Sequence, residues 1–387
     1  MNMGAAKKKI RFRHFINYTV IAIVLIVTAV LSLTGNMKSS TQYLLEKISI
    51  SMILAVSLSV LVGFLGELSL GHAGFMCAGA YIGGKLAVLL VPSLGNGPLT
   101  LIITVLAGGL CAALFGIIVG LPALRLRGDY LAIVTLAFGE IIKSFFMNSS
   151  PSSFGGALGL KTPRYDKNTL FIYCLIFVLI TLAVVQNIIR SRHGRAITAI
   201  RDSEIAARAT GINVTRYKLV VFSLSAFFAG IAGVLYSFSN QTVQSSKFGF
   251  NYSVEILVMV VLGGMGSING SLIASALITI LNVKLATILT GDLAVLQNLV
   301  YAVVLIAIVI FNNAPSLRYV REKYSLHALL AKLSRRRNDP ARVRDDEKSW
   351  ARIATKINMD ELLSMDIRPE ETRSVKKDGD RPDKEKK

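Results

Sequence analysis

Gly79-Ala-Tyr-Ile-Gly-Gly-Lys85 matches the first seven positions of a phosphate-binding loop. The next position should carry the hydroxyl that holds magnesium, but it is Leu86. The segment is apolar and no strand precedes it, so helix packing through Gly79 and Gly83 at GxxxG spacing is the better reading. His14, His72, His193 and His327 are far apart and show no metal-ligand spacing. No paired carboxylates recur near them, and no nucleophile elbow is present. Cys77, Cys111 and Cys174 all lie in apolar segments and imply no disulfide framework or metal cluster. What remains is a set of ionisable residues in or beside apolar segments, which are costly there and by default point to function. Glu67 and His72 flank the glycine-rich stretch Gly66–Gly74. Glu140 and Lys143 are three apart and can pair on one helix. Glu255 opens a later apolar segment. Each has a plainer reading. Glu140 and Lys143 would be an ion pair near a helix end, His72 a buried hydrogen-bonded side chain, and Glu67 a solvated turn residue.

The elements that must position these residues follow from composition. The chain has 387 residues, 53% hydrophobic and only 17% charged. Soluble domains carry about 25% charged residues. The formal charge is +20, from 43 Lys+Arg against 23 Asp+Glu. Such a balance suggests nucleic acid, but here it must be segregated from the apolar residues. Runs of about 18 or more apolar residues read as membrane spans. Ten are expected: Ile16–Leu33, Leu44–Phe64, Leu68–Val91, Leu99–Leu121, Tyr130–Asn148, Thr169–Ile189, Leu219–Phe238, Ser253–Gly263, Ser271–Leu289 and Leu293–Phe311. Ser253–Gly263 is too short to cross, and it runs into Leu262-Gly-Gly-Met-Gly-Ser-Ile-Asn-Gly270. Both this stretch and Gly66–Gly74 read as broken or re-entrant segments, which survive at membrane depth only inside protein or along a watery cavity. Two such segments, one in each half, suggest an internal repeat with a pathway between the halves.

Lys and Arg fix the orientation. Of the 43, 34 fall on one side: the arm 1–15, the Arg125–Arg127 turn, the loop 190–218 and the tail 312–387. Without the tail the bias is still 14 to 6. Basic short loops mark the cytoplasm. Both termini are therefore expected to be cytoplasmic, and the span count even. The expected layout is a basic arm at 1–15, a membrane domain at 16–311 and a charged, mostly disordered tail at 312–387. Leu326–Leu333 in that tail reads as a helix lying on the membrane surface. No cleavable signal peptide is expected, because no small-residue site follows the first apolar segment. Membrane lipid, not nucleic acid, is the expected partner of the charge.

Arg190–Lys218 is the longest loop on the basic side. Asp202 and Ser203 are expected to cap a helix from Glu204 to Thr210, and Gly211 to stop it. A short alanine-rich helix between two spans makes a rigid knob that another protein can approach closely. A solvated basic loop is the plainer reading.

This loop resembles the coupling segment of bacterial ABC importer permeases, whose pattern is Glu-Ala-Ala, three residues, then Gly. Glu204, Ala206, Ala207 and Gly211 match, with Ile205 inserted. Gly66-Glu-Leu-Ser-Leu-Gly-His-Ala-Gly-Phe-Met-Cys-Ala-Gly-Ala-Tyr81 resembles a signature of the branched-chain amino acid permeases. The run Leu124–Ile142 resembles the LivM-type subunit, and Val261–Gly270 resembles the late glycine motif of the family. The match spans about residues 45–312. The resemblance implies an all-α polytopic membrane protein of two inverted five-helix halves. It also implies a second, LivH-type permease, two cytoplasmic ATPase subunits and an extracytoplasmic substrate-binding protein. This chain would bind no cofactor and hydrolyse nothing, and ATP would be used by the partner subunits.

Under that resemblance the coupling residues are Gly194, Arg195, Arg201, Asp202, Glu204, Ala206, Ala207 and Gly211. The pathway residues are Ser69, Gly71, His72, Gly74, Glu140, Gly263, Gly264, Gly266 and Asn269. The cargo is expected to be branched-chain amino acids. The same permease class carrying urea, short amides, nucleosides or sugars is the nearest alternative. An ion-coupled secondary transporter relaying through Glu140 and Lys143 is a more distant one.

Overall fold

The computed structural model describes residues 38–288 except 125 and 127, with a few isolated positions between 21 and 28 and between 302 and 306. The arm, most of the expected spans Ile16–Leu33 and Leu293–Phe311, and the tail lie outside the described residues. Seven helices among the described residues are long and apolar enough to cross a membrane. They are α1 (Ser39–Ser59, continued as a π-helix over Val60–Leu65), α2 (His72–Leu94), α3 (Pro98–Ala123), α4 (Asp129–Met147), α5 (Lys167–Arg190), α8 (Val214–Ser239) and α10 (Ile268–Ile288). Between α5 and α8 lie two short helices, α6 (Arg192–Asp202) and α7 (Glu204–Ala209). Before α10 comes the half-length α9 (Phe250–Gly263).

Local signals set the helix ends. Pro98 opens α3, where a missing N–H costs nothing. Gly66 closes α1 in the left-handed region at φ 81°. Helix faces sort by what they meet. On α3, Leu106, Leu110 and Leu114 recur every four residues and are exposed, whereas Val105, Gly108 and Ala112 are buried. An exposed leucine stripe on a span is a lipid face. Among the described residues α1 is the most enclosed span, with Ile53, Leu54 and Leu58 inaccessible. It packs on α5 and α10, while α8 packs on α2 and α3. The α8 contacts are backbone-close: a Cβ at Gly79 would lie 2.5 Å from Gly230 Cα, and one at Gly233 would lie 2.1 Å from the Met76 carbonyl oxygen. The small-residue reading of the Gly79–Lys85 stretch is therefore the structural one.

The bundle has one end that carries residues 190–218, here called the basic end, and an opposite end. Chain breaks enter from both. The expected span Leu68–Val91 does not start at Leu68: residues 66–71 are non-helical and climb back into the bundle from the basic end. His72, at the start of α2, meets Ser57, which lies eight residues before the end of α1. From the opposite end, residues 240–249 fold inward. β1 (Leu160–Lys161) and β2 (Thr242–Val243) pair antiparallel, Leu160 opposite Val243 and Lys161 opposite Thr242. Tyr81 donates its hydroxyl to the Val243 carbonyl at 2.9 Å, and Thr162 Oγ1 donates to the carbonyls of Ser237 (2.7 Å) and Asn240 (2.9 Å). The 14 residues of α9 span only about 21 Å, because the helix starts inside the bundle.

Candidate functional site

The two inward breaks meet. The Ala73 N–H, in the first turn of α2, donates to Ser253 Oγ, in the first turn of α9, at 3.2 Å. Thr135 of α4 accepts from the Leu70 N–H at 3.1 Å. α4 closes on this junction through glycines: a Cβ at Gly71 would lie 2.2 Å from the Thr135 carbonyl oxygen, and one at Gly74 would lie 2.5 Å from Gly139 Cα. Glu140 salt-bridges Lys143 at 2.5 Å, and its other oxygen accepts from the Phe250 N–H at 2.9 Å. A carboxylate there satisfies an otherwise unpaired donor and favours the positive end of α9. The ion-pair reading of Glu140 thus holds, with an added capping role. A shallow groove of about 540 Å³ runs along α4 beside it, lined by Glu140, Ile141, Ser144, Phe145, Asn148 and Ser149.

His72 is 1% exposed and shares a 2.7 Å hydrogen bond with Ser57 through Nε2. Its plainer reading is the observed one. Ser69 is equally buried, and its hydroxyl has no hydrogen-bond partner among the described residues. Ser57→Ala strands the imidazole nitrogen, which typically costs about 1–3 kcal/mol. A thermal unfolding midpoint lower by several degrees is the expected result, read by scanning fluorimetry on the purified protein.

Of the late glycine motif, Gly263 closes α9, Gly264 and Gly266 turn at φ 90° and 83°, and Asn269 lies in the first turn of α10. This stretch makes a tight turn between two helices at the basic end. It reaches the end of α1, where a Cβ at Gly63 would lie 2.4 Å from the Gly266 nitrogen.

The 190–218 loop is folded, not merely solvated. Ser191 caps α6, accepting from the N–H groups of His193 (3.1 Å) and Gly194 (3.4 Å). Ile197 and Ile200, three apart, are buried. Gly194 lies under the last turn of α5, where a Cβ would sit 1.9 Å from the Ile189 carbonyl oxygen. Ser203 caps α7, accepting from the Ala206 N–H at 3.3 Å. The expected capping role of Asp202 is corrected: Asp202 ends α6 and accepts from Arg201 at 3.0 Å. A cap needs extended backbone, and the turn places Ser203 there at φ −160°, ψ 109°. Gly211 takes the left-handed conformation at φ 83° just beyond α7. Arg195, Ala206 and Ile205 are exposed, Ile205 at 77%, while Ala207 is buried. α7 therefore shows solvent an apolar side chain that its own fold leaves uncovered.

Two tethers join this loop to the end of α1 and the first break. The Arg201 guanidinium donates to the Gly63 carbonyl at 3.1 Å, and the aliphatic stem lies against Gly66, where a Cβ would be 2.7 Å from its Cγ. A Cβ on Gly266 would lie 3.8 Å from the same guanidinium. Lys218 of α8 bridges Glu67 at 2.5 Å and Glu204 at 3.2 Å. Glu67 is thus an ion-pair partner and not simply a wet turn residue. Lys218 is absent from the sequence-derived set, since it reads as one more basic residue of the loop. Its place within α8, directly before the apolar run that begins at Leu219, is the signal that could have found it. Glu46 of α1, also missed, is buried and accepts from Ser239 at 2.5 Å, while Lys47 lies over the Tyr236 ring at 4.4 Å. At the opposite end, Tyr165 packs edge-on against Tyr173 and Phe238, and burial pushes its phenol up to about 12.

Residues 40–309 match the family model described as branched-chain amino acid transport system / permease component. The chain belongs to this family. It is similar to the high-affinity branched-chain amino acid transport system permease protein LivM of Salmonella typhimurium, 36% identical over 262 residues. LivM of Escherichia coli K12 is 37% identical over 263 residues. In both cases the match covers 60% of this chain and 60% of the relative. The chain thus spans somewhat less than two thirds of the length of the LivM proteins it matches. The ribose import permease protein RbsC of Escherichia coli K12 is 26% identical over 312 residues, covering 76% of this chain and 92% of that one. The family match takes in every described span, both breaks and the α6–α7 loop. This member of the family is accordingly a multi-pass membrane protein.

Proposed function

We propose that this chain is the membrane-spanning permease subunit of an ATP-driven ABC importer for branched-chain amino acids. The observation that carries this reading is the tethering of one compact loop to the first break. Arg201 holds Gly63 and lies over Gly66, and Lys218 joins Glu204 to Glu67. A loop with an exposed apolar tip at Ile205 is a docking surface for an ATPase subunit, and its motion acts directly on the first break. ATP belongs to two such cytoplasmic subunits, and this chain needs no cofactor. A LivH-type permease pairs with it, and an extracytoplasmic binding protein delivers the solute. The basic end faces the cytoplasm, with both termini there and ten spans in two inverted halves. Support for inversion comes from the breaks, which enter from opposite ends and meet at Ala73 and Ser253. The pathway runs by that junction, past Ser69, Gly71, His72, Gly74 and Glu140, with Gly263, Gly264, Gly266 and Asn269 at its basic end.

The names of the LivM relatives support the amino-acid cargo. The ribose permease relative keeps sugars and other small solutes as the alternative. The binding protein that works with this chain decides between them. Calorimetric titration is expected to show tight binding of leucine, isoleucine or valine, and tight binding of urea or ribose with none of leucine overturns the cargo.

A further inference from the structure

We propose that Lys218 is a positioning residue that couples the α6–α7 loop to the first break by sharing one ammonium between Glu204 and Glu67. This rests on the permease reading above and names the residue through which that loop acts.

Lys218 is 4% exposed, yet two carboxylates from two other elements reach it. Glu67 follows Gly66 directly, at the point where α1 turns into the break before α2. Glu204 opens α7. The two contacts are unequal, 2.5 Å to Glu67 and 3.2 Å to Glu204. Glu204 is also held from its own helix, because Arg208 donates to its other oxygen at 2.6 Å. A small outward shift of α7 therefore breaks the longer contact first. Glu204 keeps Arg208, Lys218 keeps Glu67, and no buried charge is left unpaired. Breaking a buried pair outright would be far more costly. The cluster thus has two discrete arrangements, and exchange between them moves the pull on the break. That is the physical requirement for a coupling element. Stability alone does not call for this arrangement, since buried ion clusters can often be replaced by apolar residues without loss.

The test uses the assembled complex in lipid vesicles with its binding protein, and reads solute taken up per ATP hydrolysed. Lys218→Met alone leaves two carboxylates facing each other and is expected to assemble poorly. The double variant Lys218→Met with Glu67→Gln removes the stranded charge. It is expected to assemble at near wild-type yield and to hydrolyse ATP, while solute per ATP falls about tenfold. A ratio within twofold of wild type overturns the proposal. So does failure of the double variant to assemble, which makes the cluster purely structural. The cargo reading stands or falls separately, on whether the wild-type complex takes up leucine at all.

Discussion

Glu204→Arg in the assembled complex is expected to lower substrate-stimulated ATP hydrolysis and uptake at least tenfold. The carboxylate it removes accepts from Arg208 at 2.6 Å and from Lys218 at 3.2 Å. An arginine there places three cations around the start of α7, and like charges at i and i+4 repel along a helix. It also reverses the charge that favours the helix N-terminus. α7 would then leave its seat on Ala207 while the spans stay folded. Gly211→Leu acts on the same knob by another route. There is room for its side chain, with nothing within 4 Å of a Cβ, but φ is +83°. A left-handed non-glycine residue costs about 1–2 kcal/mol, so the chain leaving α7 is re-aimed. Wild-type stimulation and uptake in both variants would mean that the loop is not the coupling element.

Gly270→Val is expected to abolish stable insertion of the protein. A Cβ at Gly270 would lie 1.7 Å from the Gly263 carbonyl oxygen, and one at Gly263 would lie 2.4 Å from the Gly270 carbonyl carbon. These contacts are backbone on backbone across the α9–α10 turn, so no side chain can rotate away. Overpacking of flexible core side chains alone costs about 1–3 kcal/mol, and here the turn must open. The opening would also lift Gly266 from Gly63 and Arg201. Gly97→Ala is the matched control, with open space around it and φ −110°. Size-exclusion profiles of the two detergent-extracted variants check this. A sharp wild-type-like peak for Gly270→Val contradicts the packing described here.

The spans were legible because apolar length is a strong signal, and eight of the ten expected segments coincide with helices among the described residues. The break at residues 66–71 was legible because Gly66, Ser69 and Gly71 interrupt an apolar run. Its partner was legible in part: Ser253–Gly263 is the half-length α9, but the irregular backbone lies before it and not in its glycines. Gly263–Gly266 is rich in glycine, but it makes the turn between α9 and α10. The inward break is residues 240–249, where Gly249 is the one glycine. What draws it into the bundle is Tyr81 and Thr162, far away in the chain. Local pattern cannot carry a contact of that separation. Glu140 and Lys143 were read correctly as a pair, because i,i+3 spacing is local. Lys218 was not found, since its carboxylates are 14 and 151 residues away. The α7 helix was legible from Ser203 and Gly211, whereas α6 was not, because its Arg and His residues masked the buried pair Ile197 and Ile200.

We propose that this chain moves branched-chain amino acids only as the permease of an ATP-driven complex. The most direct test measures radiolabelled leucine uptake into vesicles. One set holds this chain with the second permease, both ATPase subunits and the binding protein, and the other holds this chain alone under a proton or sodium gradient. ATP-dependent uptake is expected in the first set, and none above background in the second. Gradient-driven uptake by the chain alone would contradict it.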